Sequence, residues 1–149
     1  MQSSRLTGAV RKFHLVDISH FKLKQVIGRG AFGFVRIVTH KGSGVKYALK
    51  YISKSECFKK NLIQNVFRER MILESLDHPY LVNLQYAFQD DRHIFMVLDL
   101  ETGGDLRYHL SMLGAFSEAA VKLYAAELAS AVEYLHTKNI IHRYIQLTQ

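Results

Sequence analysis

The sequence predicts an α+β fold, a five-stranded antiparallel sheet carrying one helix and followed by a helical segment. Three observations predict it. Short runs rich in Val, Ile, Phe and Tyr, parted by glycine-containing turns, occupy residues 21–52 and read as consecutive antiparallel strands. Over residues 61–76 the apolar positions recur at three- and four-residue spacing, the period of a helix with one buried face. Two further strand-like runs and a long, mostly apolar helical pattern then complete most of the 149 residues.

Taken in order, residues 1–20 mix Ser, Thr, Gly, Lys and Arg without sustained periodicity and read as a flexible extension, with a short docked piece expected near residues 13–18. Strands are expected at 21–27, 34–40 and 46–52, and Lys41-Gly42-Ser43-Gly44 supplies the residues a hairpin with positive φ needs. In the helix, Ile63, Val66, Phe67, Met71, Leu73 and Leu76 make the apolar set, and Pro79 stops it. Val82, Leu84, Tyr86 and Phe88 then alternate with Asn83, Gln85, Ala87 and Gln89, which predicts a half-buried strand with the four apolar residues on one face. A turn at 90–93 leads into the apolar run 94–100, the last strand. Gly103-Gly104 precedes a short helix at 105–113, and Ser117 caps a long one running to about residue 138. On that helix Glu118 and Lys122 stand one turn apart, while Val121, Leu123, Tyr124, Leu128, Val132 and Leu135 cover much of the rest, so it expects burial on several sides. No internal repeat or low-complexity tract interrupts the pattern.

Composition narrows the function classes. With 48% apolar residues the chain can bury one ordinary core and reads as a soluble single-domain protein. No apolar run approaches the roughly 20 residues that span a bilayer, and Met1-Gln2-Ser3-Ser4-Arg5 lacks a signal peptide's apolar stretch. Cys57 is the only cysteine, which rules out an internal disulfide and fits a cytoplasmic location. The formal charge of +7 is spread over Lys22, Lys24, Arg36, Lys46, Lys50, Lys59, Lys60, Arg68 and Arg70 with no basic block or aromatic ladder, so a basic solvated surface is expected rather than a nucleic-acid site. Eight histidines lack metal-ligand spacing, and no metal site is expected.

The chemistry concentrates in two places. Gly28-Arg29-Gly30-Ala31-Phe32-Gly33-Phe34-Val35 sets three glycines where a backbone bends tightly and can bring its amides close to phosphate oxygens. A dinucleotide-binding loop uses the same spacing but opens a helix, whereas this one joins two strands. By itself the segment is equally a glycine-rich hairpin without a ligand. In Tyr47-Ala48-Leu49-Lys50, a lysine lies on the strand after that hairpin, and Glu69 on the following helix offers a carboxylate to hold its ammonium. Without the glycine loop, such a pair reads as a surface salt bridge.

Together and in this order, the elements from about residue 21 to 142 resemble the small lobe of the protein kinase fold and the first helices of its large lobe. The resemblance implies that Ile27, Val35 and Ala48 enclose the adenine of ATP and that Gly28, Arg29, Gly30, Ala31, Phe32, Gly33 and Phe34 cover its phosphates. It further implies that Lys50 and Glu69 form the activating ion pair, that Leu98 is the gatekeeper, that the backbone of Asp99, Leu100 and Glu101 is the hinge, and that Asp105 meets the ribose. Leu73 and Leu84 match two members of the family's hydrophobic spine. Asp77-His78-Pro79-Tyr80-Leu81-Val82-Asn83-Leu84, Phe88-Gln89-Asp90 and Gly103-Gly104-Asp105-Leu106-Arg107-Tyr108-His109-Leu110 resemble the AGC-related serine/threonine kinases, closest to the YANK group. Gln2 stands where that group often carries a myristoylated glycine, so no lipid anchor is expected.

The likeness breaks near its end. Ile140-Ile141-His142-Arg143 matches the start of the kinase catalytic loop, but Tyr144 follows where the family has its catalytic aspartate, and residues 145–149 do not resemble the rest of the loop. The expected organisation is an extension at 1–20, an ATP-binding small lobe at 21–100, and a hinge with a truncated start of the large lobe at 101–149. Weak ATP binding is expected, with the family's Mg2+ ligands missing and phosphotransferase activity lost or very weak. The competing expectation is a non-catalytic interaction module that competes for partners of a full-length kinase, with self-association possible through the long helix.

Overall fold

In the computed structural model, residues 16–30 and 33–145 are described. Five strands, β1 (Phe21–Gly30), β2 (Gly33–His40), β3 (Lys46–Ser53), β4 (Leu84–Gln89) and β5 (His93–Leu98), form one antiparallel sheet in the order β1-β2-β3-β5-β4. Two helices, α1 (Lys54–Lys59) and α2 (Ile63–Ser75), connect β3 to β4, and α3 (Leu106–Leu113) and α4 (Glu118–Thr137) follow the sheet. This is the α+β architecture the patterning predicts. None of the described helices is long and apolar enough to cross a membrane.

The sheet buries both faces because β3 and β5 pair in the middle and carry apolar residues on both sides. Residues alternate across a strand, so Leu49, Phe95 and Val97 point to one face, where they join Phe21 and Val38, while Ile52 and Met96 point to the other and meet Cys57 of α1 and Val66 of α2. The outer cluster is finished by aromatic rings: Phe21 stacks on Phe88 at 5.9 Å and meets Tyr86 edge-on at 5.8 Å. Val16 and Ile18 also pack against it, and Asp17 caps the short 3-10 turn Ile18–His20 by accepting from Ser19 N at 2.7 Å. Residues 13–15, the rest of the expected docked piece, lie outside the described residues, as do 1–12.

Two expectations need correction. The first concerns the helices between β3 and β4, because the periodicity predicts one and there are two. The extra one, α1, begins directly where β3 ends: Ser53 caps it, its hydroxyl accepting from Glu56 N at 3.4 Å. The signature is present as Ser53-x-x-Glu56, but six residues are too few to show a helical period beside a strand. The second concerns β4. The strand starts at Leu84, not Val82, and its apolar residues do not share one face. A β-bulge lies between Leu84 and Tyr86, which pair with the consecutive residues Leu98 and Val97, so Gln85 is the extra residue. Leu84 therefore turns inward to the cluster of Ile52, Val66 and Met96, whereas Tyr86 and Phe88 turn outward.

The later helices follow their caps. Asp105 accepts from Tyr108 N at 2.7 Å to start α3, and Gly114 ends it at φ 75°, a conformation that favours glycine. Ser117 starts α4 through Ala120 N at 3.2 Å, and the expected Lys122–Glu118 pair closes at 2.6 Å on its surface. Only Ala131 and Leu135 of α4 are buried, while Leu123 and Leu128 stay exposed. The Tyr134 ring stacks on His78 at 4.9 Å, and its hydroxyl accepts from Asp77 N at 3.0 Å, which joins α4 to the loop before β4.

Candidate functional site

The inner face of the sheet carries two adjacent cross-strand rows. Gly28, Val35, Lys50 and Met96 stand side by side across β1, β2, β3 and β5, and Ile37, Ala48 and Leu98 form the next row. The glycine hairpin thereby borders the row from which Lys50 projects. Within it Arg29 pairs with Phe34 and Gly30 with Gly33, while Ala31 and Phe32, both expected in the site, lie outside the described residues. Arg29 turns its guanidinium over the Phe34 ring, 5.2 Å from the centroid.

The glycines are not equivalent. A Cβ on Gly33 would sit 1.9 Å from the carbonyl oxygen of Tyr51, so the packing of β2 on β3 alone requires glycine there. Among the described residues, a Cβ on Gly28 would meet only Val35, at 3.7 Å, and one on Gly30 only the Gly33 carbonyl, at 3.9 Å. Neither contact is closer than ordinary packing, and neither glycine has a positive φ. What glycine gains at those two positions is open space beside the backbone, the cradle in which amides can approach an anion.

Across from the hairpin, Lys50 Nζ donates to Glu69 Oε1 at 2.5 Å, 19 residues away on α2. Both side chains are half-open to solvent, at 28% and 40% exposure, so the pair is reachable by a ligand and contributes roughly 0–1 kcal/mol to stability. Leu73 and Leu84 pack in the one inner cluster behind it. At the far end of the face Leu98 ends β5 opposite Ala48. Asp99 follows, and its N–H is already given to the Asn83 carbonyl at 3.1 Å. Ile27 and Glu101 are exposed, and one carboxylate oxygen of Asp105 is engaged in capping α3. The structure thus gathers Gly28, Gly30, Val35, Ala48, Lys50, Glu69 and Leu98 about one face, with 99–105 at its edge.

The protein kinase domain family matches this arrangement over residues 21–147. The chain belongs to the protein kinase domain family. Serine/threonine-protein kinase 32B of Homo sapiens is 50% identical over 131 residues, 88% of this chain and 32% of that protein. Serine/threonine-protein kinase 32C of Mus musculus is 48% identical over 128 residues, 86% of this chain and 26% of that protein. RAC-beta serine/threonine-protein kinase B of Xenopus laevis is 36% identical over 132 residues, 89% of this chain and 27% of that protein. The chain therefore spans about a third or less of the length of these relatives, all of them serine/threonine kinases by name.

Within the kinase match, His142 and Arg143 lead to Tyr144, which is 71% exposed, and Arg143 takes a left-handed φ of 70°. Protein kinases act on ATP with magnesium, held by an aspartate and an asparagine. Among the described residues no group of three His, Cys, Asp or Glu side chains converges to hold a metal ion.

Sequence reasoning misses the polar partners of Asp99. Asn83 and Gln85 both donate to the Asp99 carboxylate, Gln85 at 2.7 Å. The alternating pattern places both residues on an outward polar face, and only the bulge brings Gln85 to Asp99.

Proposed function

We propose that this chain is the ATP-binding portion of a serine/threonine protein kinase domain, and that with Tyr144 in its catalytic loop it transfers phosphate very weakly or not at all. The observation that carries the first half is the Lys50–Glu69 ion pair set beside the Gly28–Val35 hairpin. Adenine lies between Ile27, Val35 and Ala48, with Leu98 behind it, and is held by the backbone of 99–101. Asp105 offers its free carboxylate oxygen to the ribose. Hairpin amides and the Lys50 ammonium, fixed by Glu69, neutralise the phosphates, which is the work of positioning and charge stabilisation that phosphoryl transfer demands.

The second half rests on chemistry at one position. The substrate hydroxyl gives up its proton to a carboxylate at the catalytic-loop aspartate, and a phenol at Tyr144 is not such an acceptor. Groups that act as a unit lose most of their effect when one is missing, so ATP can be bound without being turned over. Titration with a fluorescent ATP analogue, alongside a radiolabelled ATP transfer assay and a Tyr144→Asp variant, tests both halves. Binding without transfer supports them, and brisk transfer by the unaltered chain overturns the second.

A non-catalytic interaction role is the other reading, favoured by the exposed Val121, Leu123 and Leu128 on α4 and Met112 and Leu113 on α3. An apolar surface of this kind binds a partner or a second copy. Light scattering on Leu123→Lys/Leu128→Lys beside the unaltered chain distinguishes the two occupants: loss of a larger species identifies self-association.

A further inference from the structure

The two arms of the glycine hairpin are held unequally. β2 is seated on β3, so close at Gly33 that a Cβ there would strike the Tyr51 carbonyl. β1 is the edge strand, and its pairing with β2 shifts register twice, between Leu23 and Val26 and again between Val26 and Gly28. Beyond these irregularities the last pairs are Gly28 with Val35, Arg29 with Phe34 and Gly30 with Gly33, and Arg29 and Gly30 are exposed. A strand that is both irregular and glycine-rich has its register weakly specified by the backbone. The arm that carries Gly28 and Gly30 therefore needs a side chain to place it.

That side chain is Arg29. Its guanidinium lies over the Phe34 ring, 5.2 Å from the centroid. Phe34 meets Tyr51 at 5.5 Å, and Tyr51 meets Phe95 at 6.4 Å as part of the outer cluster. A line of contacts thus runs from the edge of β1 through β2 and β3 to β5, on the face opposite the one that carries Val35 and Lys50. Tyr51 follows Lys50 directly, and successive residues of a strand take opposite faces, so β3 anchors the hairpin with one residue and offers its ammonium with the one before.

We propose that Arg29 is a positioning residue, a brace that fixes the β1 arm on Phe34 and so sets where the amides beside Gly28 and Gly30 meet a phosphate. The proposal rests on the nucleotide reading above and gives Arg29 a part other than phosphate contact, because its charge is engaged by an aromatic face on the outer side of the sheet. Guanidinium stacks well on such a face, and the attraction survives in water.

Arg29→Gln, Phe34→Leu, the double variant and Phe34→Tyr are compared with the unaltered chain. Affinities are measured for ADP and for adenosine, which lacks the phosphates, and backbone hydrogen exchange of residues 28–30 is followed in the same proteins. Each of the first two changes is expected to weaken ADP about threefold, the strength of a solvent-accessible cation–π contact, and to leave adenosine as it was. The double variant loses no more than either single one, since both remove the same contact. Phe34→Tyr keeps the ring face and retains the affinity that Phe34→Leu loses.

A loss with Arg29→Gln but none with Phe34→Leu would make Arg29 a direct phosphate ligand and overturn the proposal. Losses that multiply in the double variant, or that fall equally on adenosine, overturn it too, the second because general destabilisation does not distinguish the ligands. If the unaltered chain binds no ADP, the nucleotide reading fails by itself. Exchange then decides the brace: faster exchange at 28–30 in both single variants upholds it, and unchanged exchange ends it.

Discussion

A Cβ on Gly33 would lie 1.9 Å from the carbonyl oxygen of Tyr51, inside the distance any packed atom tolerates. The same addition at Gly28 meets only Val35 at 3.7 Å. Gly33→Ala should therefore push β2 from β3 and destabilise the chain by about 3 kcal/mol, at the upper end of overpacking costs. Gly28→Ala should leave stability within about 1 kcal/mol while weakening a bound ATP analogue. Urea melts and nucleotide titrations on the two variants check the contrast, and equal destabilisation would remove the distinction between a packing glycine and a cradle glycine.

Lys50→Met removes the ammonium and frees Glu69, which is 40% exposed and can take up water in its place. Stability should change by no more than about 1 kcal/mol, whereas affinity for the triphosphate should fall more than affinity for adenosine. Calorimetric titration with the two ligands, beside thermal melts, reads both effects. A large stability loss with unaltered affinity would make the pair a structural element.

Cys57 is 1% exposed, between α1 and the inner face of the sheet, and burial pushes its thiol pKa up, with the neighbouring Glu56 carboxylate adding to the effect. The thiolate is the reactive form, so the native thiol should react with an alkylating probe orders of magnitude more slowly than in urea. The labelling rate then reports how often the α1–α2 layer opens. Rapid native labelling would show that this layer is not closed.

At the β4–β5 turn, Asp90 accepts from Arg92 N at 2.8 Å and from His93 N at 2.6 Å, and these bonds, that to Arg92 foremost, hold its carboxyl pKa below the usual aspartate value. A depressed folded pKa contributes stability that is present above the unfolded value and lost as pH falls through the folded one. Asp90→Ala should thus destabilise at neutral pH but converge on the unaltered chain in strong acid. Denaturation midpoints compared between about pH 2 and pH 7 check the sign, and a constant difference across that range would contradict it.

The legible parts of this molecule are those in which local chemistry and tertiary packing agree. The glycine hairpin, the Ser117 cap and the Val-, Ile-, Phe- and Tyr-rich strands are readable because a turn, a cap and a buried strand each need particular residues wherever they occur. Lys50 and Glu69 are readable as a pair only through their order after the hairpin, since nothing in either residue's own neighbourhood fixes a contact across 19 positions. The short α1 escapes notice because one and a half turns show no period. The bonds from Asn83 and Gln85 to Asp99 escape it because strict alternation at 82–89 conceals a bulge, and the alternation itself argues against one. Ile27 and Glu101, named for a pocket, are exposed, since the chain alone has no packing reason to cover them.

An ordinary strand has a fixed parity: choosing the face of one residue chooses the face of every other. Gln85 breaks that rule, so Leu84 belongs to one core and Tyr86 to the opposite one. The two halves of β4 are in this sense separate inheritances. Leu84 can be tuned with Ile52, Val66 and Met96, and Tyr86 and Phe88 with Phe21 and Val38, without a change on one side dictating the other. Excising Gln85 would rejoin them, turning Leu84 away from α2 or driving both rings inward, and a one-residue deletion there would cost the chain a whole hydrophobic layer.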